Sequence, residues 1–512
     1  IFHCTKRCIS SEVCVPVPCR LFPSTLVVVL TVLIGLAGCS DGSDRRPAGT
    51  LPVALPQVSD PPDQGQPNLF STTFPLQSVG YRQREYFLSG SATAFSPSGT
   101  LQSDGIWPVA PAESADYRTR ALVYRPIEDA DFSGSVFVEW LNVTSGFELP
   151  VTYGTAHTEL LRRGHAIVLL SAQFTGIEGA ENPLLPLHLK AVNPARYGSL
   201  QHPGDSFSYD ILTQVGGALR EGGEHDLLEG LRPTQIFAMG QSQSASRLVT
   251  YYNAIQPLYA VFDGFLLQNR GASGSRLSEP PQVEVKPPSP ALQRQDLAAP
   301  QLTVQGETDV LGLCSVGARQ ADSPVFRLWE VAGAAHNDEY TFVSGRNDIG
   351  TDPRFALVVE QTSILGFQEC NLPMNSGYLA WPVNAAVNAL DAWARTGELP
   401  PVAERLQLTD DNSAYRLDDL GNALGGLRTP YVEAPAAVLS GLGQTDNAFC
   451  FLFGTTALFD AGQMAALYVD RAGYQRAVAA AVDDAVARGV LLAEDGERVI
   501  EAAGLQWDQA PP

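Results

Sequence analysis

Eight short apolar runs, separated by helical or irregular stretches, constrain this 512-residue chain more than any other feature. They lie at 85–90, 119–124, 135–141, 165–171, 235–239, 264–268, 301–305 and 325–331. The later ones, such as AIVLL and VFVEWL, are continuously apolar, as strands buried on both faces of a parallel sheet must be. Between the first two no helical crossover is legible, so they read as an antiparallel edge. Residues 153–163 (YGTAHTELLRR), closed by Gly164, read as the helix between the third and fourth runs. The pattern predicts an α/β fold: an eight-stranded, mostly parallel sheet with helices on both faces.

Composition removes several classes of function. Hydrophobic residues at 45% with charged residues at 17% exclude a disordered chain, and a single long apolar stretch excludes a polytopic membrane protein. The formal charge is −22, and lysine occurs only at Lys6, Lys190 and Lys286, which argues against nucleic acid or anionic lipid as a main partner. Nothing in the sequence sets an oligomeric state.

Near the N-terminus, Lys6, Arg7 and Arg20 precede an apolar stretch at 26–36 that is too short for an ordinary spanning helix and reads as an export signal. It ends in Leu36-Ala37-Gly38-Cys39, followed by Ser40, which resembles the lipobox of bacterial lipoproteins. The resemblance implies a signal peptide over 1–38, lipid on Cys39, and attachment to a bacterial membrane in the periplasm or at the cell surface. Residues 39–68 are rich in Pro, Asp, Gly and Ser and read as a flexible tether. The remainder, 69–512, reads as one domain with lid excursions at about 173–204 and 270–300 and a C-terminal extension packed on its core. Of the eight cysteines only Cys314, Cys370 and Cys450 fall in that body, where one disulfide, Cys370 with Cys450, is expected. The seven histidines lack the spacing of a zinc site, so neither metal nor cofactor is expected.

The chemistry concentrates where the run TQIFAM enters Gly240-Gln241-Ser242-Gln243-Ser244 and the helical stretch ASRLVTYYNAI follows. Strand, sharp turn and helix with serine at the apex form the context in which a G-x-S-x-G pattern places a nucleophile. Small residues two before and two after the serine avoid clashes, and Ser244 serves in place of the second glycine. The same pattern recurs at Gly271-Ala272-Ser273-Gly274-Ser275 with no strand before it and no helix after it, so context selects Ser242.

A serine needs a base, and the base an orienting acid, in the chain order Ser, acid, His on such a sheet. The seventh run is followed by Gly306-Glu307-Thr308-Asp309 and the eighth by Ala332-Gly333-Ala334-Ala335-His336. Asp309 is the expected acid, with Glu307 as alternative, and His336 the expected base, with His202 as its only rival. Oxyanion donors are expected at the amide of Gln243 and in the loop that begins at Asn142. Tyr197, His202 and Trp140 are candidates for lining a pocket, although Tyr197 and His202 read first as parts of a turn, with Asp205 capping the next helix.

The segments VEWLNVTSG, Arg196-Tyr197-Gly198, His202-Pro203-Gly204-Asp205, GQSQSASRL and GGLRTPYVEAP resemble a bacterial family of α/β-hydrolase domain proteins, from about residue 67 to near the C-terminus. The resemblance implies an α/β-hydrolase fold, triad places at Ser242, Asp309 and His336, and serine esterase activity. The expectation is hydrolysis of a small or medium apolar carboxylic ester through an acyl-enzyme. Amides, lactones or oligoesters would use the same parts. A non-catalytic lipoprotein that keeps the fold as a binding module is the alternative from another class.

Overall fold

The computed structural model describes residues 50–180, 186–445, 447 and 449–511, and from Thr50 onward the chain belongs to one compact unit. The eight runs appear as β2 (Tyr81–Pro97), β3 (Val109–Pro126), β4 (Ser135–Trp140), β5 (Ala166–Leu170), β6 (Gln235–Gln241), β7 (Gly264–Gln268), β8 (Gln301–Gln305) and β9 (Phe326–Glu330). A ninth, β1 (Gln57–Ser59), pairs antiparallel with β2 at the edge. The strand order is β1-β2-β3-β5-β4-β6-β7-β8-β9, antiparallel as far as the β3–β5 pair and parallel from β5 to β9. This is the α/β-hydrolase arrangement, with nine strands instead of the eight expected.

The extra strand corrects the tether reading at its C-terminal end. Leu51 donates its N–H to the Leu258 carbonyl, and 57–59 hydrogen-bond to β2, so the body begins near residue 50 rather than at 69. The expected signal peptide, Cys39 and the tether up to residue 49 lie outside the described residues. Among the described residues no helix is long and apolar enough to cross a membrane.

Alternation along the central strands builds two cores. On one face Phe137, Leu169, Phe237 and Trp329 pack with α1 (Val151–Arg162) and a long helix of the C-terminal region, Ala380–Thr396. Phe137 and Phe237 face each other in register and stack with ring centroids 4.7 Å apart. On the other face Val136, Val138, Leu170, Ala238 and Leu267 pack with α2 (Ser208–Glu221) and α3 (Gln243–Thr250). We call the Ala380–Thr396 helix α4; it covers α1, β7 and β8, so the C-terminal region is part of the same core. Beyond it, α5 (Ala461–Tyr468), α6 (Arg471–Ala487) and α7 (Ala493–Trp507) contribute Met464, Val478 and Val499 to that core.

Because β4 and β6 are neighbours, the loop after β4 and the turn after β6 emerge side by side at the C-terminal edge of the sheet. The loops after β8 and β9 emerge from the same edge, where open parallel sheets place their sites.

Candidate active site

Ser242 stands at the junction of β6 and α3 with φ 59° and ψ −116°, a backbone that a non-glycine residue adopts only under strain. Its N–H is bonded to the Gln268 carbonyl of β7, which holds the turn on the sheet edge. The demand for small flanking residues is visible in the packing: a Cβ added to Gly240 would sit 3.0 Å from the Ser244 Cβ.

Asp309 follows β8 and is fully buried. Its Oδ1 lies 2.6 Å from Nδ1 of His336, and its Oδ2 accepts from the Gly306 N–H at 2.6 Å and from the Asn269 amide. Three donors on one carboxylate fix its plane, and so fix the imidazole it orients. His336 is held from behind as well, its N–H donating to Thr308 Oγ1 at 3.0 Å.

Glu307, the alternative acid, points elsewhere. Its carboxylate accepts from the Gly333 N–H at 2.7 Å, the Gly441 N–H at 2.8 Å and Ser440 Oγ at 3.3 Å. It thus ties the loop after β8 to the loop after β9 and to the C-terminal strand Ala437–Ser440. Burial without a cationic partner pushes its carboxyl up to about 7.

Gln241, the last residue of β6, was not among the sequence candidates. Its Nε2 lies 3.3 Å from His336 Nε2, 3.3 Å from the His336 carbonyl and 3.2 Å from Asn337 Oδ1. On the other side Asn142 Nδ2 donates to the Gln241 carbonyl at 3.1 Å and to its Oε1 at 3.3 Å. Among the described residues Ser242 Oγ makes no hydrogen bond with His336.

One oxyanion expectation needs correction. The Asn142 N–H donates to the Leu149 carbonyl at 3.0 Å, and its own carbonyl accepts from the Leu149 N–H, so the amide is spent on the loop. The next one, at Val143, makes no hydrogen bond among the described residues. Nor does the Gln243 amide, first in α3, where a helix leaves its N–H groups without intrahelical acceptors.

The pocket candidates resolve as structural residues. Trp140 is fully buried against Tyr209, with rings 5.7 Å apart. Tyr197 is fully buried and donates to Glu85 at 3.0 Å, inside a network in which Arg120 pairs with Glu85 at 3.1 Å and Glu148 at 2.5 Å. His202 gives Nε2 to the Ala172 carbonyl at 3.0 Å, and burial holds its imidazole below the ordinary value. Asp205 does not cap the helix that follows it: its Oδ1 accepts at 2.7 Å from the Phe174 N–H, the first amide of the short helix Phe174–Glu178, and its Oδ2 pairs with Arg247 at 2.8 Å.

Arg247 of α3 joins both excursions to the helix that begins beside Ser242, since it also pairs with Glu279 at 2.8 Å and donates to Gln173 at 3.2 Å. Gln173 in turn bonds the side chain of Gln243 beside Ser242. Farther round, Cys370 and Cys450 form a disulfide with Cα atoms 5.6 Å apart. The segment Cys450–Phe453 reaches the site through the Asn337 N–H, bonded to the Leu452 carbonyl at 2.9 Å.

Compared with known proteins, the sequence matches the family described as "Alpha/beta hydrolase domain" over residues 55–501. No curated protein matches it in sequence. Among solved structures it is similar to XC6422 from Xanthomonas campestris, described as a serine hydrolase without lid, at 14% identity over 47% of this chain and 83% of that one, TM-score 0.23. It is also similar to a fungal esterase from Rhizomucor miehei, at 11% identity over 54% of this chain and 86% of that one, TM-score 0.23.

Proposed function

The chain belongs to the alpha/beta-hydrolase domain family, and on that premise we propose that it is a serine hydrolase cleaving carboxylic esters through an acyl-enzyme, with Ser242 as nucleophile, His336 as general base and acid, and Asp309 as orienting acid. The observation that carries this reading is the buried 2.6 Å contact of His336 Nδ1 with Asp309 Oδ1, one loop away from a serine on a strained strand-to-helix turn. With its Nδ1–H given to Asp309, His336 keeps the Nε2 lone pair for the serine proton.

In the reaction Ser242 Oγ attacks the carbonyl carbon while Nε2 of His336 takes its proton. The negative charge that develops on the carbonyl oxygen falls to the unspent amides of Gln243 and Val143, and the N-terminus of α3 adds a favourable dipole. Collapse breaks the bond to the alcohol oxygen, which takes the proton back from His336. Water then enters, gives its proton to His336, and attacks the acyl-serine. Its hydroxyl leaves with the acyl group as a carboxylic acid, and Ser242 recovers its proton.

The substrate we propose is a small or medium apolar ester; what supports it is that Arg247, on the helix that begins beside Ser242, pairs with Asp205 and Glu279 and so draws the segments around both excursions to that helix. The experiment is hydrolysis of p-nitrophenyl esters of increasing acyl length by the body from residue 50, beside Ser242→Ala. Turnover that vanishes in the variant supports the reading; a folded wild type with no turnover on any chain length favours a binding module.

We further propose export and membrane attachment through lipid on Cys39. The support is the Leu36-Ala37-Gly38-Cys39 sequence after an apolar stretch, together with a disulfide in the body, which suits an oxidising compartment. Metabolic labelling with an alkyne fatty acid tests it: label on the wild type and none on Cys39→Ser is the expected result.

A further inference from the structure

The side chain of Gln241 is 2% exposed and lies between the loop after β4 and the loop that carries His336. The orientation of its amide is fixed by the groups around it. Asn142 Oδ1 already accepts from the Thr144 N–H at 2.9 Å, so Asn142 offers Gln241 a donor, Nδ2. A donor there requires the Gln241 oxygen, which leaves Nε2 to face His336. On that side the His336 carbonyl is an acceptor only, and Asn337 Oδ1 is a second acceptor, so both ends of the amide agree on one orientation.

From this we propose, on the serine-hydrolase reading above, that Gln241 is a positioning residue for the base: its Nε2–H donates to Nε2 of His336 and to the backbone of the His336 loop. The effect is to set the rotation of the imidazole about its Asp309 bond. At rest the bond from Gln241 occupies the Nε2 lone pair, and Gln241 is the residue directly before Ser242. Asp309 alone fixes one ring atom; the bonds from Gln241 to the His336 carbonyl and to Asn337 fix the loop that sets the direction of the ring. During attack the Ser242 hydroxyl takes the place of this donor at Nε2, while the bonds from Gln241 to the His336 carbonyl and to Asn337 keep the loop in register. Asn142 acts one step further out, by keeping the amide from turning over. No covalent step is added by this role.

The test is a double-mutant cycle read in kcat and KM on a p-nitrophenyl ester, with active sites counted by a fluorophosphonate. Gln241→Met keeps the volume and removes the hydrogen bonds; kcat per labelled site should fall roughly 10- to 100-fold with KM within twofold. Asn142→Ala should lower kcat in the wild-type background and have little further effect in Q241M, because both act through one amide. A purely structural role would lower melting temperature and the number of labelled sites, and would leave kcat per site and the coupling unmoved. Gln241→Asn, too short to reach His336, carries the same test should Q241M not fold. Variants that turn over within twofold of wild type, or effects that simply add, would overturn the proposal. A wild type that neither hydrolyses the ester nor takes the label would instead overturn the serine-hydrolase reading on which it rests.

Discussion

His336 and Asp309 share a 2.6 Å hydrogen bond in which the imidazole is 2% exposed and the carboxylate fully buried. Water cannot compete for that contact, so the acid acts on one ring nitrogen only and leaves the other for chemistry. Replacing Asp309 with Asn keeps the shape but presents the ring with an amide that can also donate, which permits the wrong tautomer. Asp309→Asn is expected to lower kcat by about 10³-fold or more, with KM little changed, in steady-state hydrolysis of a p-nitrophenyl ester.

Asn269 donates to the second oxygen of the same carboxylate. Asn269→Ala leaves the Gly306 N–H as the remaining donor on that oxygen, so the acid keeps its place but loses rigidity. A loss of about tenfold in kcat, smaller than that of D309N and measured on the same ester, is the expected outcome.

Arg247 pairs with Asp205, just past the first excursion, and with Glu279 in the second, at 2.8 Å apiece. Its removal strands two partly buried charges, which costs more than the pairs themselves contribute. Arg247→Met should lower unfolding free energy by about 2–4 kcal/mol in urea. Limited proteolysis should cut within residues 270–300 faster than in the wild type.

Glu307 gives a pH dependence of definite sign. Burial raises its carboxyl to about 7 in the folded protein, whereas an unfolded chain ionises near 4.5. Between those values the folded state binds the extra proton, so the stability this group contributes is present at low pH and is lost as pH rises through about 7. The size is on the order of 3 kcal/mol at most. In Glu307→Gln the change in unfolding free energy between pH 5 and 8 should shrink by up to about 3 kcal/mol; an unchanged pH dependence would assign it to other groups.

Cys370 and Cys450 are 80 residues apart in sequence, and their bridge holds Cys450–Phe453 against the His336 loop. Reduction should lower stability by about 2–5 kcal/mol, seen as a fall in melting temperature with dithiothreitol that the Cys370→Ser, Cys450→Ser double variant no longer shows.

Much of this architecture is legible in the sequence because burial on both faces writes continuous apolar runs: β4 to β9 fall where AIVLL, VFVEWL and their like predict. The ninth strand is not legible, since Gln57–Ser59 is three residues long, apolar only at Val58, and held by backbone pairing with β2. The hairpin of β2 and β3 is longer than its apolar centre because in the extension buried positions, Ala92, Ala94, Phe95 and Val109, are few and set among exposed ones such as Ala110 to Glu113, which leaves no apolar run to read. At the site, Ser242, Asp309 and His336 could be placed by strand ends. The fate of the Asn142 amide could not, because its bond to Leu149 belongs to the shape of a loop. Gln241 gives no sequence signal beyond adjacency to Ser242; its place comes from two loops meeting at one buried amide.

The most direct measurement is stoichiometric labelling of the folded body with a fluorophosphonate, followed by peptide mass mapping. The account predicts one phosphonyl adduct per chain, on Ser242, absent in Ser242→Ala and slowed strongly in His336→Ala. An unlabelled wild type, or an adduct on Ser273 or any other serine, would contradict it.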